Sequence, residues 1–330
     1  MSAAQRRRVL VTGGTGMIGA ALVRRLVGEG REVFVLARPS ANRLRLQSIE
    51  AQVTWLAGDI RDAESVRRAV RQAAPAVVYH LASTPFNPPT ITAATHLETI
   101  VSGTANLLDA LNDQPGVRLV AAGSSAEYGS GTGLREDQPL RPGTVLGAAK
   151  ASAGLLIHAW SVAYGLQAVV LRLFTPYGPW ESPGRLIPHT ILSALDGREI
   201  AMTRGDQQRD FVYLDDVVEA LRLAGDRTGS PGTVLNIGSG IGRPVRTVVT
   251  KILELMGHPV RANLGALPTR ADEIMEMSAD VTAAAQLLEW SPQVSLDEGL
   301  GWCIEWIRGH RELLRQLDAR SAHAPAPVAA

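Results

Sequence analysis

Three glycines, Gly13, Gly16 and Gly19 in "VTGGTGMIG", recur at a spacing of three between a short apolar run and the start of a helical pattern. Glycine permits a tight turn there. It also lets the backbone at Met17 and Ile18, which open the helix, approach a pyrophosphate at the positive end of the helix dipole. The chemistry implied is dinucleotide binding, and the strand-to-helix setting is what gives the triplet weight. The next apolar run ends in "LARPSANR", which carries Arg38, Ser40, Asn42 and Arg43 but no carboxylate. An acidic residue at that point would hold ribose hydroxyls, whereas a guanidinium suits a 2′-phosphate, so the sequence favours NADP(H) over NAD(H). Asp59 in "GDIRD" follows the third run and is placed to meet the adenine. A second stretch, "TVLGAAK", holds Lys150, one of only two lysines among 33 basic residues. Leu146 stands four residues before it and has no proton to give.

The elements that must position these residues alternate along the first half. Residues 8–12, 32–37, 52–57, 76–82, 117–123 and 167–174 read as strands, separated by helical stretches at 17–29, 61–73, 91–112 and 147–164. The strands are continuous apolar runs, as a sheet covered on both faces requires. Strand and helix in alternation predict an α/β fold, a doubly wound parallel Rossmann sheet. Beyond Phe174 proline and glycine become frequent, and short strands mix with helices at 185–196, 215–224, 245–256 and 296–313. The expected division is a dinucleotide domain over 1–175, with segments near 209–238 packing back on it, and a smaller mixed substrate lobe over 176–318. A disordered tail is expected over 319–330, where "RSAHAPAPVAA" is small, polar and proline-rich.

Composition narrows the partners. A net charge of +1 gives no reason to expect nucleic acid or an anionic membrane. The single cysteine, Cys303, excludes an intrachain disulfide and suits a reducing, cytoplasmic setting. The opening "MSAAQRRR" has a charged start, but no apolar run long enough for a signal core or a membrane span is read after it. The seven histidines are scattered without metal-ligand spacing, so no metal is expected.

With "YHLAS", "GTANLLDA", "GSSAEYG", "KASAGLL", "FTPYGP", "QQRDFVYLDDV" and "LNIGSG" added, residues 8–310 resemble the extended short-chain dehydrogenase/reductases, in the nucleotide-sugar epimerase/dehydratase branch. "GSSAEYG" and "KASAGLL" look most like the GDP-4-keto-6-deoxymannose reductases. The resemblance implies hydride transfer between a nicotinamide and a sugar carbon. A tyrosine handles the hydroxyl proton, a lysine lowers the tyrosine's pKa and holds the ribose, and a serine binds the same substrate oxygen. Ser124 matches the serine and Lys150 the lysine. The cofactor would meet Gly13, Gly16, Met17, Ile18, Gly19, Arg38, Asp59, Ile60, Leu81, Ala82 and Lys150. A nucleotide-diphosphate sugar would meet Ser83, Thr84, Ser125 and Thr175, with Arg209 and Arg270 on its diphosphate. The proline-rich "STPFNPP" would border the sugar. A homodimer is also implied, with helices 91–112 and 147–164 pairing across a two-fold axis.

Three positions depart from the pattern. Leu146 replaces the tyrosine, and Ile100 and Thr175 stand where asparagines are usual. Tyr128, Tyr177, Glu127 or a water on Ser124 are the candidate substitutes for the missing proton source. Three readings follow. The first is an NADP(H)-dependent reductase of a 4-keto-6-deoxyhexose. The second is a redox-neutral epimerase or dehydratase with a substitute acid–base group. The third is a cofactor-binding protein without catalysis, or a tailoring enzyme acting on another natural product.

Overall fold

The computed structural model describes residues 8–84, 91–227, 231–270 and 273–321, with the side chains of 318–321 left out. Seven strands form the central sheet: β1 (Arg8–Thr12), β2 (Glu32–Ala37), β3 (Thr54–Ala57), β4 (Val77–His80), β5 (Arg118–Ser124), β6 (Gln167–Leu173) and β7 (Thr233–Ile237). They lie in the order 7-6-5-4-1-2-3, every neighbouring pair parallel. The order reverses between β1 and β4, and a crevice opens at the carboxyl end of a sheet where that happens.

Alternate residues explain the unbroken apolar runs. Val9, Val11, Val33, Val35 and Tyr79 point to one face, under helices Met17–Gly28 and Leu214–Asp226. Leu10, Phe34, Leu36, Val78 and Leu119 point to the other, under helices Ala63–Ala73, Gly103–Asn112 and Val145–Tyr164. Each fully buried aliphatic side chain stabilises this arrangement by roughly 1.5–3 kcal/mol.

Helix Val145–Tyr164 is fixed at both ends. Thr144 caps it by accepting the Gly147 amide at 3.0 Å, and Gly165 closes it in the left-handed region at φ 71°. By length and composition this helix could cross a membrane, so the expectation that no apolar segment is long enough needs correcting. In the fold its Ala149, Ala153 and Ile157 are buried in the layer beneath the sheet.

A second lobe gathers helices Leu186–Leu195, Val245–Leu255 and Leu296–Gly309 around a core of Tyr177, Ile191, Phe211, Val248 and Ile304. Small sheets edge it: Gln208–Tyr213 between Thr175–Tyr177 and Gly242–Pro244, and Ile200–Met202 with Ala262–Leu264.

Four details differ from the sequence reading. Residues 91–112 hold a wider π turn at Leu97–Ser102 between two α-helical pieces. Residues 296–313 break at His310, and a further helix, Arg311–Ser321, continues into the segment expected to be a disordered tail. Residues 322–330 lie outside the described residues, as do residues 85–90 of the proline-rich "STPFNPP". A 3-10 helix, Leu44–Gln52, follows β2 where no element was expected, and its Leu44 is buried in the second lobe's core.

Candidate active site

The glycine loop closes on the switch point. Gly13 turns at φ 71°, and a β-carbon on it would fall 2.5 Å from the Leu81 carbonyl carbon and 2.6 Å from the Ala82 nitrogen. On Gly19 it would fall 2.2 Å from the Gly13 carbonyl oxygen. Only glycine lets loop, helix and the chain after β4 approach so closely. The helix starts at Gly16 with no side-chain cap and no acidic residue in its first turn, so its leading amides are unclaimed by side chains. An anion fits there.

A relay of hydrogen bonds fixes the same corner. Thr104 donates to the Ile100 carbonyl at 2.5 Å, so its oxygen accepts from His80 Nε2 at 3.1 Å. His80 Nδ1 therefore accepts from the Thr12 hydroxyl at 2.7 Å. The ring is held as one neutral tautomer, and burial, aided by the charge of Lys150, pushes its pKa down to about 3. Thr12, at the end of β1, also receives the Ala82 amide at 3.3 Å.

Ser124 ends β5 and caps the turn Ser125–Glu127, its Oγ accepting the Ala126 amide at 3.2 Å. Lys150 Nζ donates to the Ala122 carbonyl, two residues earlier on β5, at 2.8 Å. Burial lowers the Lys150 pKa to about 8, against the opposing pull of Glu127. A cavity of about 10 Å³ borders Lys150, His80, Ile100 and Thr104.

Two of the three departures from the family pattern touch each other. Leu146 and Ile100 are 9% and 2% exposed and form one apolar cluster with Ala149 and Ala153. Thr175, the third, sits part-buried on the strand beside Phe211.

The suggested substitute tyrosines are committed elsewhere. Tyr128 donates to Asn236 Oδ1 at 2.7 Å and accepts from Arg172 Nη1 at 2.8 Å, all within a buried network. Tyr177 is 1% exposed in the core of the second lobe, with its ring against Phe211 and Tyr213. Burial raises both phenols above their ordinary range. Glu127 has no exposed surface and accepts from the Ser124 amide at 2.7 Å and from Arg172 Nε at 2.8 Å. Ser125 is buried as well. Ser83 is exposed, and Thr84 bonds His96 Nδ1 at 2.6 Å.

Past the end of β3, Asp59 is gripped by Arg61 at 2.8 Å, which holds its carboxyl below the usual range. Arg38 is exposed nearby and adds to that effect. Ile60 packs against Gly103, and its carbonyl accepts from Asn106 at 3.0 Å. Two neighbours read as basic or polar loop have structural duties. Arg43 pairs with Glu50 at 3.1 Å and lies over the Trp55 ring, and Asn42 accepts the Leu44 amide.

Arg45 was not anticipated. It donates to the Thr15 carbonyl in the glycine loop at 3.3 Å and to the Trp180 carbonyl in the second lobe at 3.0 Å. Arg24 lies over the Trp180 ring and donates to the Arg45 carbonyl. The run "RLRLQ" was the available signal, but only the unexpected 3-10 helix aims it.

At the far end Arg209 pairs with Glu273, which also holds Arg270 at 3.2 Å. Asp210, the next residue, accepts from Ser239, Gly240 and Ala279. Burial, and then the charges of Arg270 and Arg185, lower the Arg209 pKa while Glu273 opposes them. Among the described residues no cluster could hold a metal ion.

Residues 9–238 match the family model described as "NAD dependent epimerase/dehydratase family". The chain belongs to that family. A dTDP-glucose 4,6-dehydratase of Streptomyces griseus is 31% identical over 317 residues, covering 92% of this chain and 94% of the relative. The crystal structure of a dTDP-glucose 4,6-dehydratase from Streptomyces venezuelae with NAD and TYD bound is 30% identical, with a TM-score of 0.84, covering 94% of this chain and all (100%) of that one. A Thermotoga maritima UDP-glucose 4-epimerase with UDP-glucose is 28% identical, with a TM-score of 0.85, covering 92% and 99%. As a family member the chain is an NAD-dependent nucleotide-sugar enzyme. These relatives are dehydratases and an epimerase, so they lend nothing to the expected keto-sugar reductase.

Proposed function

We propose that this epimerase/dehydratase-family enzyme modifies the hexose of a nucleoside-diphosphate sugar by hydride transfer and returns its cofactor unchanged. One observation carries the reading. An uncapped helix N-terminus in a glycine cradle follows β1, the Ser124 hydroxyl ends β5, and the Lys150 amine reaches the Ala122 carbonyl of β5 from its helix, all toward the carboxyl edge of one sheet. The loop residues fit a dinucleotide pyrophosphate, Lys150 a ribose, and Arg38 with Asp59 the adenosine end. The bound nicotinamide supplies and receives the hydride.

Arg209 and Arg270 converge on Glu273, and two forked guanidiniums so close together support a diphosphate beside them. The relatives make dTDP-glucose and UDP-glucose the first substrates to try. A second reading, reduction of a 4-keto-6-deoxyhexose with NADPH, is favoured by the exposed Arg38 and the missing carboxylate after β2.

Mass spectrometry of the nucleotide released on denaturation separates the two. Oxidised NAD or NADP near one per chain supports the redox-neutral cycle. An empty site that binds NADPH supports the reductase. Binding of neither overturns both. The reading includes a homodimer, supported by Leu155 and Val162, which share an exposed face of helix Val145–Tyr164 at 61% and 72%. A monomer by light scattering would remove it.

A further inference from the structure

A hydride that leaves or joins a sugar carbon changes the charge on that carbon's oxygen, so a proton must travel with it. The groups that could carry it can be sorted by their bonds. Leu146 has none to give and is sealed against Ile100. The Tyr128 proton goes to Asn236, and the Tyr177 hydroxyl is enclosed in the other lobe. Glu127 is fully buried on Arg172. His80 keeps its one N–H on Thr104. Among the described residues, what remains beside the end of β5 is Ser124, whose oxygen already accepts an amide, and Lys150.

Lys150 lies one helical turn beyond Leu146 on the same face of the helix. Its Nζ gives one N–H to the Ala122 carbonyl at 2.8 Å, which leaves a second N–H and, in the neutral amine, a lone pair.

We propose that Lys150 is itself the acid–base residue of this site, its Nζ taking or giving the substrate hydroxyl proton while Ser124 Oγ orients that oxygen. In the oxidising direction the substrate O–H bond breaks and an N–H bond forms on Nζ, while the C–H electron pair leaves as hydride to the nicotinamide. The reducing direction restores each. The inference rests on the proposed function, since it assumes a bound nicotinamide and a sugar hydroxyl.

The surroundings suit an amine that titrates near neutrality. Burial lowers its pKa to about 8, and the charges that face it are Glu127, itself paired with Arg172, and the neutral His80. The neighbouring helical pieces present Ile100 and Thr104, which carry no charge.

The chain's two lysines make the test direct. Protein labelled with ¹³C only in lysine gives two Cε signals, assigned with Lys251→Arg, and each is followed against pH with and without NAD⁺. Lys150 is expected to titrate near 8, and Lys251, paired with Asp297, above the ordinary lysine value. With UDP-glucose or dTDP-glucose as probe, single-turnover formation of reduced nicotinamide rises along the Lys150 titration. Lys150→Arg slows it at least ~100-fold and flattens the pH profile, while NAD⁺ affinity, to which Lys150 also contributes at the ribose, falls by a much smaller factor. The proposal is overturned if Lys150 titrates at an ordinary lysine value, or if Lys150→Arg weakens NAD⁺ binding by the factor it loses in turnover. Should that variant not fold, the wild-type titration still decides. Failure of wild-type protein to bind NAD⁺ or NADP⁺ would instead strike the proposed function.

Discussion

Replacing Glu127 by glutamine would expose how Ser124 is held. The carboxylate has no exposed surface and Arg172 only 7%, and they meet at 2.8 Å. Glutamine keeps an oxygen for the Ser124 amide but leaves the guanidinium buried with the Tyr128 hydroxyl and the Glu136 carbonyl as its remaining acceptors. An uncompensated buried charge costs about 3–5 kcal/mol. Removing both charges in Glu127→Gln/Arg172→Met should therefore cost less than the two single losses added, with a coupling of roughly 2 kcal/mol or more. Urea unfolding followed by tryptophan fluorescence and circular dichroism measures this, two probes being needed because the lobes need not unfold together. A loss below about 1 kcal/mol for Glu127→Gln, or strict additivity in the double variant, would refute the view that this pair is buried and mutually dependent.

Further outcomes follow from single sites. Gly19→Ala places a β-carbon 2.2 Å from the Gly13 carbonyl. The strain, about 1–3 kcal/mol, should weaken NAD(P)⁺ binding roughly tenfold or more by calorimetry. If Arg38 meets a 2′-phosphate, Arg38→Ala should weaken NADPH by roughly 10- to 100-fold, the loss of a charged hydrogen bond, and leave NADH alone; equal effects would remove Arg38 as support for NADP(H). Tyr128→Phe should lose about 1–3 kcal/mol in thermal unfolding through the orphaned Arg172 and Asn236 groups, without altering the pH profile of turnover. Glu181 is buried beside Arg185, and desolvation raises its pKa to about 7. The folded state then holds a proton the unfolded chain releases near 4.5, so stability falls as pH rises from about 4.5 to 7. Glu181→Gln should flatten that limb and leave the protein more stable at alkaline pH, by up to ~3 kcal/mol; an unchanged limb would show the carboxyl to be ionised.

The central sheet could be read from the chain because its physics is local. Val9–Val11 in "RVLVT" and Val33–Ala37 in "EVFVLA" are apolar without alternation, and a strand covered on both faces needs that. The glycine loop was equally legible, since its spacing encodes a turn and a close approach that no other residue allows. The π turn at Leu97–Ser102 and the break at His310 could not be read, because apolar spacing looks the same across a short irregularity. Arg45 was invisible for another reason: its duty depends on Thr15 and Trp180, which meet only when the two lobes pack. Sequence alone fixed the identity of Leu146, Ile100 and Lys150 and so posed the question of the missing proton. Tertiary structure decided that Leu146 and Ile100 pack on one another and that Tyr128, Tyr177 and Glu127 are bound or enclosed elsewhere. Which polar atoms stay available depends on distances between segments far apart in the chain, and that is set by folding.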